Sequence, residues 1–162
     1  AIQHAVRDVE NREQKQFDII VDIDATSPLR LVSDISEAYD FLLSRPDAGN
    51  LITGFSSRRS PYFNMVKGNN TGFTTLVKKT DPPIVRRQDA PRCYDMNASI
   101  YIWRRTDFFN LNSVISEDTL FYEMPEERSI DIDSEFDYQF VKFLARNRLD
   151  LQQEYLITDI SI

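Results

Sequence analysis

Apolar residues at Ile2, Ala5, Val6 and Val9 recur at helical spacing, so Ala1 to Gln16 reads as an amphipathic helix. Phe17 to Asp24 then runs Phe-Asp-Ile-Ile-Val-Asp-Ile-Asp, a β-rich stretch that predicts a buried, parallel strand. Ala25 to Leu31 is a turn broken by Pro28. Ser33 is the expected N-cap of a helix through Leu43, with Asp34 and Glu37 placed in its first turn. Leu51 to Phe55 predicts another strand. Tyr62 to Val66 and Phe73 to Val77 flank Gly68-Asn69-Asn70-Thr71-Gly72, which predicts a β-hairpin. Ser99 to Trp103 and Leu120 to Met124 are further strands. Phe136, Phe140, Val141 and Leu144 mark the apolar face of a last long helix. Strand–helix–strand order followed by a hairpin predicts an α/β sheet carrying an excursion, with no repeats or linkers.

Composition narrows the picture. The chain has 162 residues and is 41% hydrophobic, which suits one globular domain with a real core. Its net charge of −7 argues against general affinity for nucleic acid or anionic membrane. Cys93 is the single cysteine, so there is no disulfide framework and no cysteine-rich metal site. No apolar run is long enough to span a membrane and no signal peptide is visible, so a cytoplasmic location is expected. Four glycines are too few for a glycine-rich phosphate loop within these residues.

The densest candidate chemistry lies in Ser129-Ile130-Asp131-Ile132-Asp133-Ser134-Glu135-Phe136-Asp137. In an extended segment, residues two apart share a face and stand roughly 6.6 Å apart along the backbone. Asp131 and Asp133 can then hold one hard cation such as Mg²⁺ while water fills the other positions. The competing reading is a pair of solvated carboxylates leading into a helix capped by Ser134. Asp24 and the loop Thr26-Ser27-Pro28-Leu29-Arg30 follow a strand, where α/β sheets gather ligands, and Arg30 can meet a phosphate or carboxylate there. Arg86, Arg87 and Gln88 suit an anionic, polyhydroxylated ligand: guanidinium groups for the acid, the amide for hydroxyls. Both stretches also read as ordinary turn and surface loop. Arg58-Arg59 and Lys78-Lys79 carry the same two readings, the solvated one foremost; His4 reads as structural and Cys93 as inert.

Thr26-Ser27-Pro28-Leu29-Arg30, Ser60-Pro61-Tyr62-Phe63-Asn64-Met65-Val66, Arg87-Gln88-Asp89-Ala90-Pro91, Asn97 with Ile100-Tyr101-Ile102, and Ser129-Ile130-Asp131-Ile132-Asp133 occur in this order. The set resembles the acylneuraminate cytidylyltransferases, the CMP-sialic acid synthetases and their relatives for legionaminic and pseudaminic acids. The resemblance runs from about Phe17 to Leu144. It implies a Rossmann-like nucleotide-diphospho-sugar transferase sheet with helices on both faces. It also implies a dimerisation excursion, placed at 103–124 on its Phe108, Phe109, Leu111, Val114, Leu120 and Phe121, and hence a homodimer; the same residues also read as a locally folded cap over the sheet. The implied reaction joins CTP to a nine-carbon 2-keto sugar acid, a nonulosonic acid, for surface polysaccharide biosynthesis. The roles it implies are Mg²⁺ on Asp131 and Asp133, and Arg87 and Gln88 on the sugar acid. Asn97, Tyr101 and Ser27 would be further substrate contacts, Arg30 would lie near phosphate, and Asp24 is a further candidate beside the metal.

Two departures stand out. The family begins with a strand and a basic, glycine-containing loop for CTP, and neither occurs in these residues, so the 162 residues alone are expected to be inactive. The family's Gln-Pro before Thr-Ser-Pro-Leu-Arg is Asp24-Ala25 here, and its Asn-Gly-Ala is Asn97-Ala98-Ser99. Two alternatives stay open: a non-catalytic cytidylyltransferase-like module, and a cytidylyltransferase for another acid such as 3-deoxy-manno-octulosonate.

Overall fold

A computed structural model describes residues 1–110 and 113–147. They divide into two compact units, one formed by Ala1–Gly54 with the residues from Met96 onward, the other by Phe55–Asp95. The first unit is built on a four-stranded mixed sheet in the order β1-β5-β2-β6. Its strands are β1 (Ile19–Ile23), β2 (Asn50–Ser56), β5 (Tyr94–Arg104) and β6 (Thr119–Glu123). β1 runs antiparallel to β5, with Asp22 opposite Tyr101, and β2 runs parallel to β6.

Alternation along β1 sends neighbouring side chains to opposite faces. Ile19 packs into a core with Ala38 and Leu42 of α2 (Val32–Ser44), while Ile20 packs with Val6 of α1 (Ile2–Glu13), Trp103, and Phe108 of α3 (Arg105–Asn110). Helices therefore cover both faces, as expected. A third cluster joins Leu29 and Leu31 to Ile130, Ile132 and Val141, the last on α4 (Glu135–Asn147).

Several expectations change. β1 is antiparallel and lies at the end of the described sheet, with Val21 39% and Ile23 40% exposed. A continuous apolar run does not distinguish a central strand from an edge strand covered on part of its surface. Ser33 does not cap α2. The helix begins at Val32, and the Leu31 N–H donates to the Asp34 carboxylate at 2.8 Å. Asp34 is buried because Arg128 grips it through two bonds, at 2.7 and 2.9 Å. Segment 103–124 contributes α3 and β6 to the first unit, and Phe55–Asp95 forms the second. The aromatic density of 103–124 is used internally: Phe108 packs against Trp103 and Phe109 at ring separations of 5.4 and 5.1 Å. Leu111 lies outside the described residues. The second unit holds the expected hairpin, shortened to β3 (Val66–Gly68) and β4 (Thr74–Leu76).

Glu10 clamps α1 to the sheet unit by accepting two bonds from Arg105 (2.7 and 2.8 Å) and one from the Phe17 N–H. Arg7 and Arg105 both lie over the Phe109 ring, at 4.8 and 4.9 Å. The Arg105 guanidinium holds the Glu10 carboxyl down at about 2, against an ordinary 4.5. A depressed carboxyl stabilises the fold above its unfolded value, and that contribution is lost as pH falls through the folded one. The melting temperature should therefore drop between pH 4.5 and 2, and Glu10→Gln should flatten that part of the profile. An unaltered acid limb in the variant would remove Glu10 from this role. Ala98 supplies a second test. Its φ of 51° lies in the left-handed region, which a side chain with a Cβ rarely adopts. Relief of that strain outweighs glycine's extra unfolded freedom, so Ala98→Gly should stabilise by about 1 kcal/mol in chemical denaturation. A destabilised variant would contradict this.

Candidate functional site

The β1–α2 turn is organised by Asp24, whose carboxylate accepts the Thr26 N–H at 3.0 Å and the Thr26 hydroxyl at 2.8 Å. An aspartate bonded two residues ahead is an Asx turn. These bonds, the backbone one foremost, hold the Asp24 carboxyl below the usual range, and the Arg30 charge adds to the effect. Ser27 is fully buried, and its hydroxyl donates to the Asn97 carbonyl at 3.2 Å. Arg30 reaches back to donate to the Ser27 carbonyl at 2.6 Å and approaches the Ser99 hydroxyl at 3.3 Å.

Residues 129–133 form no strand. Ile130 and Ile132 pack against the cluster that holds Val141 of α4. The Ile132 N–H donates to the Thr26 carbonyl at 3.0 Å, which fixes this segment to the Asp24–Arg30 turn. Asp131 is half-buried, and its Oδ1 is buried with no hydrogen-bond partner among the described residues; Asp133 is exposed. A buried carboxylate oxygen left unpaired is costly, and a cation answers it directly. Asp137 is engaged elsewhere: its N–H bonds the Ser134 hydroxyl at 3.3 Å and its carboxylate accepts that hydroxyl at 2.6 Å, so Ser134 caps α4. Among the described residues no group of three or more His, Cys, Asp or Glu side chains converges as a metal cage.

Asn97 is 3% exposed. Its amide nitrogen donates to the Ser129 hydroxyl at 3.0 Å, and its carbonyl oxygen meets the Thr53 hydroxyl at 2.7 Å and the Ser99 N–H at 3.1 Å. Its polar groups, like the Ser27 hydroxyl, are occupied within the fold. Tyr101 lines a hollow of about 550 Å³ together with Asp22, Trp103 and Phe108. Burial raises the Tyr101 phenol above its ordinary range, and the charges of Asp24, Asp22 and Asp131 raise it further. Tyr101 thus stays protonated at neutral pH, a hydrogen-bond donor among carboxylates.

Asp24, Ser27, Arg30, Asn97, Tyr101, Asp131 and Asp133 all belong to the first unit. Asp22 was not singled out in the sequence, although Asp22-Ile23-Asp24 repeats the acidic alternation of Asp131-Ile132-Asp133. Arg87 and Gln88 belong to the second unit, on a single 3₁₀ turn, Arg87–Asp89. There the two adjacent arginines diverge. Arg86 closes an ion pair on Asp89 at 2.8 Å, whereas Arg87 donates to the Arg58 carbonyl at 3.1 Å and lines a hollow with Gln88.

No protein-family model matches the chain. The chain is 40% identical over 134 residues to a post-translational flagellin modification protein B of Campylobacter coli, across 82% of this chain and 55% of that protein. It is 43% identical over 128 residues to a CMP-N,N'-diacetyllegionaminic acid synthase of Campylobacter jejuni, across 79% of this chain and 53% of that protein. The chain therefore spans about half the length of these relatives.

The carboxylates around Tyr101 give a direct test. Asp24→Asn removes the carboxylate that acts most strongly of the three on the phenol and should lower its titration midpoint. Ultraviolet titration read as a difference against Tyr101→Phe isolates this tyrosine; a midpoint unmoved by Asp24→Asn would place Asp24 outside its field.

Proposed function

We propose, from the premise that this chain belongs with the CMP-legionaminic and pseudaminic acid synthetase-like proteins, that it takes part in cytidylyl transfer to a nonulosonic acid. The observation that carries the reading is the Ile132–Thr26 bond, which ties the Asp131–Asp133 segment to the Asp24–Arg30 turn. The substrates are CTP and the sugar acid. The sugar's anomeric hydroxyl attacks the α-phosphorus, the new O–P bond forms, the bond to pyrophosphate breaks, and the hydroxyl proton is released. Such a transfer depends on positioning and on neutralising phosphate charge.

Asp131 and Asp133 are the residues assigned to Mg²⁺, and the unpartnered Asp131 Oδ1 supports that assignment. When bound there, the cation supplies Lewis-acid polarisation of phosphate oxygens. Arg30, held by the Ser27 carbonyl, contributes positive charge toward the phosphates. Tyr101 offers its proton as a donor to substrate oxygens. Ser27 and Asn97 keep the turn and β5 in register, so their part in substrate binding is to shape the site. Arg87 and Gln88, on the second unit, are assigned to the sugar acid. The reading includes a cytoplasmic homodimer. Exposed Phe136, Phe140 and Phe143 on α4 offer apolar surface for association, and no helix among the described residues is long and apolar enough to cross a membrane.

The complete gene product, given CTP, Mg²⁺ and N,N'-diacetyllegionaminate or N-acetylneuraminate, should release pyrophosphate and form the CMP-sugar. Asp131→Asn and Asp133→Asn should each cut turnover by about 10²–10³ with circular dichroism unchanged, the cost of losing one charge-stabilising group. Near-normal turnover in both at saturating Mg²⁺ would sink the metal assignment. Product from 3-deoxy-manno-octulosonate alone would reassign the substrate, and no product from any acid would favour a non-catalytic module.

A further inference from the structure

The second unit differs in charge from the chain that contains it. Residues 55–95 hold eight Lys and Arg against three Asp, within a chain of net charge −7. One acid of the three, Asp89, is already paired with Arg86. Arg59, Arg87 and Arg92 line one hollow of about 430 Å³, joined by Gln88, Ser57 and Ser60, and no acidic side chain is among its lining residues. Its floor is rigid. Ser60 is buried, its N–H donates to the Asn64 side chain at 2.7 Å, and its carbonyl accepts three successive backbone N–H groups from Phe63, Asn64 and Met65. The Ser57 N–H donates to the Cys93 carbonyl at 2.9 Å, joining the two sides of the hollow. Neither Arg59 nor Arg92 makes an ion pair among the described residues.

Three guanidinium groups around one hollow repel each other, and an anion placed among them turns that repulsion into attraction. Planar, forked donors match a carboxylate, and the neighbouring amide and hydroxyls match sugar hydroxyls. The volume suits a small polar ligand and not a polymer. We infer that Arg59 and Arg92 join Arg87 in gripping the carboxylate of the sugar acid, so that this hollow selects an acid over a neutral sugar. This inference rests on the cytidylyltransferase reading for the identity of its ligand.

Calorimetry on the complete protein tests it with four probes: N,N'-diacetyllegionaminate, its methyl ester, CTP and pyrophosphate. The wild type should prefer the acid to the ester. Arg59→Ala and Arg92→Ala should each weaken the acid about tenfold, the scale of one lost charged hydrogen bond, while the ester and CTP stay within twofold. The double variant should lose the preference for acid over ester. Three results would overturn the inference: no binding of the acid to the wild type, retention of its affinity in both variants, or a parallel loss of CTP and pyrophosphate, which would make the hollow a phosphate site. Both arginines are exposed, so the variants should melt with the wild type. The two readings separate cleanly. Acid held through these arginines without cytidylyl transfer would remove the reaction and keep the inference. Transfer at an unchanged KM for the acid in both variants would do the reverse.

Discussion

Asn97 carries an amide that water cannot reach, so its polar atoms have to be answered inside the fold, and the arrangement of the first unit follows from how that is done. The carbonyl oxygen turns back onto the Ser99 N–H and meets Thr53 on β2; the nitrogen donates across to Ser129. The Asn97 backbone carbonyl accepts from Ser27 on the β1–α2 turn. One residue thereby ties two strands, the β1–α2 turn and the start of the aspartate segment. The adjacent left-handed Ala98 is the backbone consequence, because an asparagine bonding two residues ahead requires an irregular strand at that point. An unsatisfied donor or acceptor here would cost about 1–3 kcal/mol, enough to make loosening of the whole group unfavourable.

The aspartate segment depends on further ties that do not involve Asn97. Arg128 reaches the buried Asp34 at the start of α2, and removing either partner would strand a buried charge. Ser129 donates to the Pro125 carbonyl at 2.8 Å, Ile132 is bonded to Thr26, and Ser134 caps the helix that follows. Between these ties Asp131 retains a buried oxygen with no partner among the described residues. A segment so constrained by its neighbours yet left unsatisfied at one carboxylate suits a binding group better than a packing one.

Much of this was legible from residue order. Helical spacing located α1 and α4, the acidic alternation located the segment at residues 129–133, and the Ser134 cap was already one of the two readings there. What stayed hidden depends on partners distant in sequence. The adjacency of Arg86 and Arg87 gives no sign that one is spent on Asp89 and the other is not. Asp34 has the composition of a helix-capping acid, and only the distant Arg128 explains its burial. The aromatic residues between Trp103 and Tyr122 have the composition of an interface and of a cap alike, and only distant partners show that Trp103, Phe108 and Phe109 help seat α1 and α3 on the sheet. Short polar side chains such as Asn97 and Ser27 have the same composition whether they face a ligand or hold the walls of a site, and their internal bonds show only at the level of the fold.

The charge distribution then separates two kinds of recognition that the net charge conceals. Around Tyr101 the first unit gathers Asp22, Asp24 and Asp131, an arrangement that repels bare phosphate and accepts it through a cation. The second unit gathers arginines around a hollow with no acid in its lining, which attracts an anion with no metal at all. The transfer proposed above uses two anions, a triphosphate met through a metal and a sugar acid met without one, and two unlike environments suit it, since one cationic surface would bind either anion and order neither. Specificity of this kind is a difference of affinities, and each unit supplies it partly by what it excludes. An overall charge of −7 describes neither surface; the chemistry is carried by the local departures from it.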